Sequence, residues 1–351
     1  MHKTIPQNSL PSKLQKEKQL ISIQEAVNRF IENIALSRSS KTALAYRNGL
    51  NAFINNLQEY AQIDIVNTIC DERLEDYIPS FLDALKYYSP ATERLYITAV
   101  YNLFVFLTAE GIYEPNLARI KMLIKQRARV PGQRLPQFPR KAIEMLVKYA
   151  NTLATQPCDN INDKLRNLRD RAFLITLADT GLRVHEACNL RRGDIDWEEQ
   201  KAIIIGKGDR QAVIRFSSRS LKVIKEYLTI RAELDNRSGR PLSSLPVFAR
   251  HDKGTGKKVK PMTPTTGRNI VAQRVEEALG NEMKGSITPH SFRHFFVTTV
   301  LRGSGGNLKL AQALARHKNI AVTQRYAHLS DDELDQGYHE IFEQDYGDVK
   351  D

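Results

Sequence analysis

The sequence predicts a mainly α protein of two domains with one small β-sheet, and three observations support this prediction. The chain has 351 residues, more than one hydrophobic core usually supports. Apolar residues recur at helical spacing in both halves of the chain. Two short β-rich runs, residues 202–205 and 212–216, interrupt this pattern and flank a glycine-containing turn. We therefore expect a helical first domain and a mixed α/β second domain that contains a hairpin.

Residues 21–120 are predicted to form a bundle of helices joined by short loops. The first helix has a capping-box signal, in which Ser22 precedes the apolar pattern and Glu25 follows three residues later. A later helix begins with Ser89 as N-cap and Pro90 at the first helical position. These signals indicate a compact bundle.

The pattern breaks after this bundle, and residues 121–138 are predicted to be a basic interdomain linker. Seven positive residues and no acidic residue occur between positions 121 and 141. Such a segment suits a DNA backbone, although a solvated basic loop has the same composition. The candidate DNA-binding residues are Lys121, Lys125, Arg127, Arg129, Arg134, Arg140 and Lys141. The second domain is predicted to span residues 139–329.

The net charge of +12 is unevenly distributed. Residues 331–351 contain nine acidic residues and one lysine, a balance of −8, which leaves +20 on the rest of the chain. A basic surplus favours a polyanionic partner, because each phosphate that is neutralised releases counterions, but a basic protein without such a partner would have the same balance. Apolar residues recur at helical spacing in the acidic tail, 330–351, which we expect to pack on its own domain or on a neighbouring protomer.

Several classes of protein are not indicated. No apolar run approaches the length of a membrane span, and the predicted N-terminal tail, residues 1–20, is polar. The expected location is therefore the cytoplasm, in association with the nucleoid. Cys70, Cys158 and Cys188 lie far apart without a CxxC pair, so neither disulfides nor a zinc knuckle are indicated.

Two arginine motifs suggest a phosphate-binding site. Arg183 follows a turn glycine at the start of a helix, and Glu186 lies on the same helical face, where it would orient the guanidinium or form an ordinary surface pair. His290 and Arg293 are spaced i, i+3, so an imidazole and a planar guanidinium face the same side. A zinc ion shared by His290 and His294 is the alternative, although the HExxH pattern is absent.

Two further motifs complete the pattern. Lys207 lies in the turn of the predicted hairpin, and His317 precedes Tyr326 by nine residues. A single tyrosine is normally a core or rim residue. Tyr326 gains significance from the order of the motifs along the chain: arginine, hairpin lysine, His-x-x-Arg, histidine, tyrosine.

With these motifs in this order, the second domain resembles the catalytic domain of the tyrosine recombinases, also called the phage integrase family. The resemblance covers about residues 139–329 and rests on Thr-Gly-Leu-Arg-x-x-Glu, Gly-Lys-Gly, His-x-x-Arg-His and His-x8-Tyr-x-His. The first domain and linker resemble that family's helical core-binding, SAM-like domain. The chain is most similar to the simple two-domain, Xer-like kind. Two positions depart from the pattern: His185 replaces a small hydroxyl residue, and Arg316 replaces a glycine that would permit positive φ.

The resemblance implies a site-specific recombinase that cleaves and rejoins DNA through a 3′-phosphotyrosine intermediate. Tyr326 would be the nucleophile and Lys207 the general acid, with His290 as base or hydrogen-bond partner. Arg183, Arg293 and His317 would supply positive donors to the phosphate. No cofactor, metal or ATP is expected, because the cationic clamp replaces a divalent ion and the phosphotyrosine conserves the bond energy.

The expected partners are double-stranded DNA with a specific recombination site and three further copies of the chain, as a homo-tetramer on two sites. Two alternatives remain open at this stage. A type IB topoisomerase has the same catalytic residues but relaxes DNA as a monomer. A DNA-binding regulator with a relic site would retain the fold without the activity.

Overall fold

The computed structural model describes residues 21–69, 72–129, 139–206, 210–252, 258–324 and 338. The chain divides into two compact units, Met1–Gln133 and Arg134–Asp351, and we describe each by itself. Among the described residues, no helix combines the length and apolarity needed to cross a membrane. The mainly α fold with a small sheet is confirmed.

The first unit is a helical bundle around one apolar core. Its helices are α1 (Ile23–Ser37), α2 (Ser40–Ala61), α3 (Ile78–Ala84), α4 (Pro90–Ala109) and α5 (Leu117–Arg127). Helix α2 packs along α4, α1 lies beside α2, and α5 packs on α3. Phe53, Phe81 and Phe104 lie at the centre, where Phe53 contacts the other two rings edge-on.

The predicted helix starts in this unit are confirmed. Ser22 Oγ accepts a hydrogen bond from the backbone N–H of Glu25 at 3.1 Å, which satisfies one of the free amides at the start of α1. Ser89 Oγ accepts from the backbone N–H of Thr92 at 3.2 Å, and Pro90 occupies the first position of α4.

Helix α5 extends into the segment that the sequence analysis assigned to the linker. Residues 121–127 are helical, and Ile120 is fully buried in the core of the first unit. Leu123 and Ile124 also pack against this core, so their helical spacing outweighs the basic residues between them. The helical unit therefore extends beyond residue 120, and residues 130–138 lie outside the described residues.

The second unit consists of helices around a larger core with a three-stranded antiparallel sheet at its side. Its helices are α6 (Arg140–Thr152), α7 (Ile161–Thr180), α8 (Val184–Asn189), α9 (Ser218–Asn236), α10 (Pro264–Leu279), α11 (Pro289–Gly303), α12 (Leu308–Ala315) and α13 (Ile320–Gln324). Helix α7 is the central element, because it packs against α6, α9 and α11.

The predicted hairpin is confirmed. Strands β1 (Ile195–Asp196), β2 (Lys201–Gly206) and β3 (Arg210–Arg215) pair in sequence order. Strands β2 and β3 remain in register up to the pair Gly206↔Arg210. The intervening turn, residues 207–209, lies outside the described residues.

A small apolar cluster joins α11 and α12 and thereby positions the candidate site. It consists of Val297, Leu301, Ala311 and Ala315, with Phe296 packed against it. Because Phe296 also contacts the turn after α7, the cluster brings the ends of three helices into the same region.

Candidate phosphate-binding site

The first part of the site is the turn between α7 and α8. Gly181 follows the last residue of α7 with φ 59°, in the left-handed region. A Cβ atom at this position would lie 2.4 Å from the ring of Phe296. Both the backbone conformation and the close approach therefore require glycine here. The turn places Arg183 at the N-cap of α8.

Glu186 holds Arg183 from inside this turn. Its carboxylate accepts hydrogen bonds from the Arg183 backbone N–H and from Arg183 Nη1, both at 2.9 Å. The Glu186 side chain is 2 % exposed, whereas that of Arg183 is 45 % exposed. The carboxylate is therefore an internal anchor, and the guanidinium remains accessible to a ligand.

Arg293 is buried in α11 and connects two other segments. Its Nη1 donates to the carbonyl of Gly181 at 2.6 Å, and its Nη2 donates to the carbonyl of Ala315. Gly181 precedes Arg183 by two residues, and Ala315 precedes His317 by two residues. A single guanidinium thus ties the Arg183 turn to the His317 segment.

Two histidines lie beside Arg293 on α11. The rings of His290 and His294 meet edge-to-face with their centroids 4.4 Å apart. Partial burial, followed by the charges of Arg293 and Arg183, lowers the pKa of His290. Burial, His290 and Arg293 lower the pKa of His294 to about 4. Both imidazoles are therefore neutral at pH 7, and neutral His290 is able to accept a proton.

A zinc ion held by His290 and His294 would need a further ligand, and the described part of the chain places none beside them. Within that part of the chain, no group of three His, Cys, Asp or Glu side chains is arranged to hold a metal ion.

His317 is oriented by a threonine that the sequence analysis did not identify. The Nδ1 atom of His317 lies 2.9 Å from the hydroxyl of Thr323, which is fully buried. When Thr323 donates to Nδ1, Nε2 carries the ring proton and can donate it to a ligand. Burial, followed by the charges of Arg293 and Arg183, lowers the pKa of His317 to about 4. His317 is therefore neutral at pH 7 in the free protein, and it offers Nε2–H to a ligand in the tautomer that leaves Nδ1 as acceptor; its predicted role at the phosphate stays a prediction.

Arg316 is the second residue whose contribution was missed. Arginine fits poorly where positive φ is needed, yet Arg316 adopts φ 57° and ψ 44°. Its Nη2 donates to the carboxylate of Glu186 at 3.1 Å. The sequence does not predict the contact of Arg316 with Glu186, because the two residues are far apart in the chain. It does not predict the contact of His317 with Thr323 either, because Thr323 has no distinctive spacing.

Lys207 and Tyr326, the predicted acid and nucleophile, lie outside the described residues, and so does Arg134. The described site therefore consists of Arg183, Glu186, His290, Arg293 and His317 among the predicted residues, together with His294, Arg316 and Thr323.

The basic linker residues have different surroundings. Arg129 forms an ion pair and a backbone hydrogen bond with Glu93, which is only 1 % exposed. Arg127 pairs with Asp83 at 3.4 Å, at the surface. Arg129 therefore helps to stabilise the end of the first unit, whereas the exposed Arg127 pair contributes little stability, and both partners offset part of the charge that these arginines offer to DNA.

Of the remaining described linker residues, Lys121 is exposed, whereas the Arg140 side chain is only 26 % exposed, less than those of Arg127 and Arg129. Lys121 lies over the ring of Tyr101 at 5.7 Å, and Arg140 pairs with Glu144 at 2.9 Å. Lys125 and Lys141 are exposed. Their role in DNA binding stays a prediction.

Known proteins match both units. Residues 141–333, more than half of the chain, match the phage integrase family, and residues 27–111 match the phage integrase N-terminal SAM-like domain. Tyrosine recombinase XerC of Thermodesulfovibrio yellowstonii is 27 % identical over 315 residues, covering 88 % of this chain and 93 % of the relative. XerC of Bacillus subtilis is 26 % identical over 321 residues, covering 90 % and 96 %.

A solved structure extends the likeness to the fold. The XerH site-specific recombinase bound to its palindromic difH substrate has a TM-score of 0.64 at 17 % identity, covering 93 % of this chain and 98 % of XerH. The two-unit fold agrees with these comparisons. The chain belongs to the phage integrase family, the tyrosine recombinases, as its motifs predicted.

Proposed function

We propose that this protein is a site-specific DNA recombinase that cleaves and rejoins DNA through a 3′-phosphotyrosine bond formed by Tyr326. The observation that carries this proposal is the arrangement of Arg183 and Arg293 around one turn, with neutral His290 and His317 beside them. Such a cluster fits a phosphodiester, whose non-bridging oxygens gain charge in the transition state and require fixed donors. Both relatives named above are tyrosine recombinases, which supports the same chemistry here.

The proposed reaction exchanges one phosphate ester bond for another. The hydroxyl oxygen of Tyr326 attacks phosphorus and loses its proton, for which His290 is the acceptor. The bond from phosphorus to the 5′ oxygen breaks, and the leaving oxygen takes a proton from Lys207. Arg183 and Arg293 stabilise the charge on the phosphate oxygens, and His317 donates a hydrogen bond. The reverse sequence, with a 5′-hydroxyl as nucleophile, rejoins the strand without metal or ATP.

The proposed substrate is a double-stranded DNA recombination site. The first 330 residues carry a balance of +20, which favours a phosphate backbone as partner. Lys121, Lys125, Arg134, Arg140 and Lys141 are the proposed linker contacts, with lesser contributions from Arg127 and Arg129. XerH is seen with its difH substrate, in agreement with this class of partner. We propose a homo-tetramer on two sites, acting in the cytoplasm at the nucleoid.

A two-site plasmid experiment tests this proposal. The site is first mapped by footprinting on the genomic DNA that flanks the gene, and two copies are then placed in direct repeat on a supercoiled plasmid. A recombinase deletes the intervening segment and leaves a plasmid without sites unchanged. Relaxation of both plasmids without deletion would indicate a topoisomerase. Footprinting without any covalent protein–DNA adduct would indicate a regulator, and either result would overturn the proposal.

A further inference from the structure

Arg316 occupies a backbone conformation that does not favour arginine. It caps the end of α12 with φ 57° and ψ 44°, in the left-handed region. L-residues other than asparagine and aspartate adopt this region rarely, because Cβ approaches the backbone carbonyl, whereas glycine has no Cβ. The turn itself has no need of a long side chain, since glycine would form it without strain. The side chain must therefore contribute something that offsets the backbone cost.

The contacts of the Arg316 side chain show what this contribution is. The side chain is 11 % exposed, and its Nη2 donates to Glu186 at 3.1 Å. The same carboxylate holds the backbone and the guanidinium of Arg183. The Nε atom of Arg316 is buried and has no hydrogen-bond partner within the described residues. Its charge, more than its hydrogen-bonding capacity, is therefore used at this position.

Sharing one carboxylate between two arginines changes the charge of the site. A buried carboxylate that faces a single arginine would neutralise that arginine and compete with a phosphate for it. With Arg316 as second partner, the three groups together retain one positive charge. Burial raises the pKa of the Glu186 carboxyl, but the opposing effect of Arg316 and Arg183 is larger. The pKa therefore lies below its ordinary value, and Glu186 remains ionised.

We propose that Arg316 is a positioning residue that balances Glu186, so that Arg183 is held in place by this carboxylate yet keeps its positive charge for the bound phosphate. This inference rests on the proposed function for its phosphate ligand. The backbone of Arg316 contributes as well, because it lies between Ala315, whose carbonyl accepts from Arg293, and His317.

Three variants separate charge from backbone conformation. Arg316→Gly removes the charge and the strain, Arg316→Ala removes the charge but keeps the strain, and Arg316→Lys keeps the charge with fewer donors. Each is compared with the wild type in single-turnover cleavage of a nicked suicide duplex that carries the mapped site, and in binding to the same duplex.

We expect the cleavage rate to fall when the positive charge at position 316 is removed, and to recover when a lysine supplies that charge. In Arg316→Gly, the cleavage rate falls by about tenfold, which is the size of one coupling between contacting charges. DNA binding stays within about twofold of the wild type. Arg316→Ala is similarly slow, and Arg316→Lys recovers most of the rate. If Arg316→Gly cleaves as fast as the wild type, or if all three variants lose thermal stability and binding together, the proposal is overturned.

A titration provides a readout that is independent of cleavage. Glu186 is faced by Arg183 from its own helix and by Arg316 from the end of α12. The 13C carboxyl resonance of Glu186, assigned with Glu186→Gln, should titrate at higher pH in Arg316→Gly than in the wild type. The acidic side of the pH profile of the cleavage rate should shift to higher pH in the same variant. An unchanged titration would overturn the charge-sharing role. A wild type that titrates as expected but forms no adduct would instead overturn the proposed function.

Discussion

Arg293 shows how one side chain organises this site. Its guanidinium is buried and donates to the carbonyls of Gly181 and Ala315, so it fixes the segments that carry Arg183 and His317. Loss of Arg293 would therefore release two turns and also remove the proposed phosphate donor. Arg183 differs, since its side chain is half exposed and depends on Glu186 for its orientation.

The motif residues were predictable because their chemistry and spacing are local. Arg183 with Glu186 and His290 with Arg293 each lie within one helical turn, so the sequence shows their shared face. Thr323 and Arg316 act through contacts that form only on folding. Arg316 and Glu186 are 130 residues apart in the chain, and the spacing of residues along the sequence cannot predict a contact of that range.

Gly181→Ala provides the prediction at this scale. The new Cβ would lie in the left-handed region at 2.4 Å from the ring of Phe296, so we expect a loss of folding stability of about 2–4 kcal/mol, from backbone strain and overpacking together. Gly239→Ala is the matched control, because Gly239 has φ 67° and open space around it. Thermal unfolding measures both variants. Equal shifts in Tm would contradict the close contact with Phe296.

At the scale of elements, the hairpin is where prediction and structure agree most closely. Both strands are rich in β-branched residues, burial alternates along them as Ala202, Ile204 and Ile214 face the core, and the paired register ends at Gly206 and Arg210. Helix α5 shows the opposite case, in which basic composition concealed an apolar face that packs on the first unit. Basic residues also suit the last turn of a helix, as Lys125 and Arg127 do in α5, so a basic run does not by itself mark a linker.

The hairpin turn carries the second prediction. Lys207→Ala should slow cleavage by about 100-fold or more with little change in binding, because the leaving 5′ oxygen loses its proton donor. A substrate with sulfur at the 5′ bridging position should restore the rate, since a thiolate leaves without protonation. Lys201→Ala on the same hairpin is the matched control, because it removes the same charge from a surface pair with Glu199. Absence of sulfur rescue would make Lys207 a phosphate contact only.

At the scale of the whole molecule, charge is divided between a basic body and an acidic tail. The predicted apolar face of the tail consists of Leu334, Tyr338, Ile341 and Phe342. Tyr338, the only member of this face that the structure describes, is helical and 60 % exposed. A helix with one apolar face requires a surface to cover it, on its own domain or on a neighbouring protomer.

Deletion of residues 332–351 tests the intersubunit alternative. We expect single-site DNA binding to persist while tetramer assembly and recombination are lost, as measured by gel shift and size-exclusion chromatography. A full-length variant with Leu334→Ser and Phe342→Ser retains the acidic charge and should fail in the same way. Tetramers formed by the truncated chain, or a truncated chain that no longer folds, would contradict an intersubunit role.

The covalent bond that we propose between Tyr326 and DNA is measured most directly as adduct formation on a nicked duplex that carries the mapped site. Denaturing electrophoresis shows the adduct, and mass spectrometry of the digested product identifies the modified tyrosine. The wild type should be modified at Tyr326. Tyr326→Phe should bind the duplex normally, since the ring is kept, and form no adduct. An adduct that persists in this variant, or that maps to Tyr338 or Tyr346, would contradict the account.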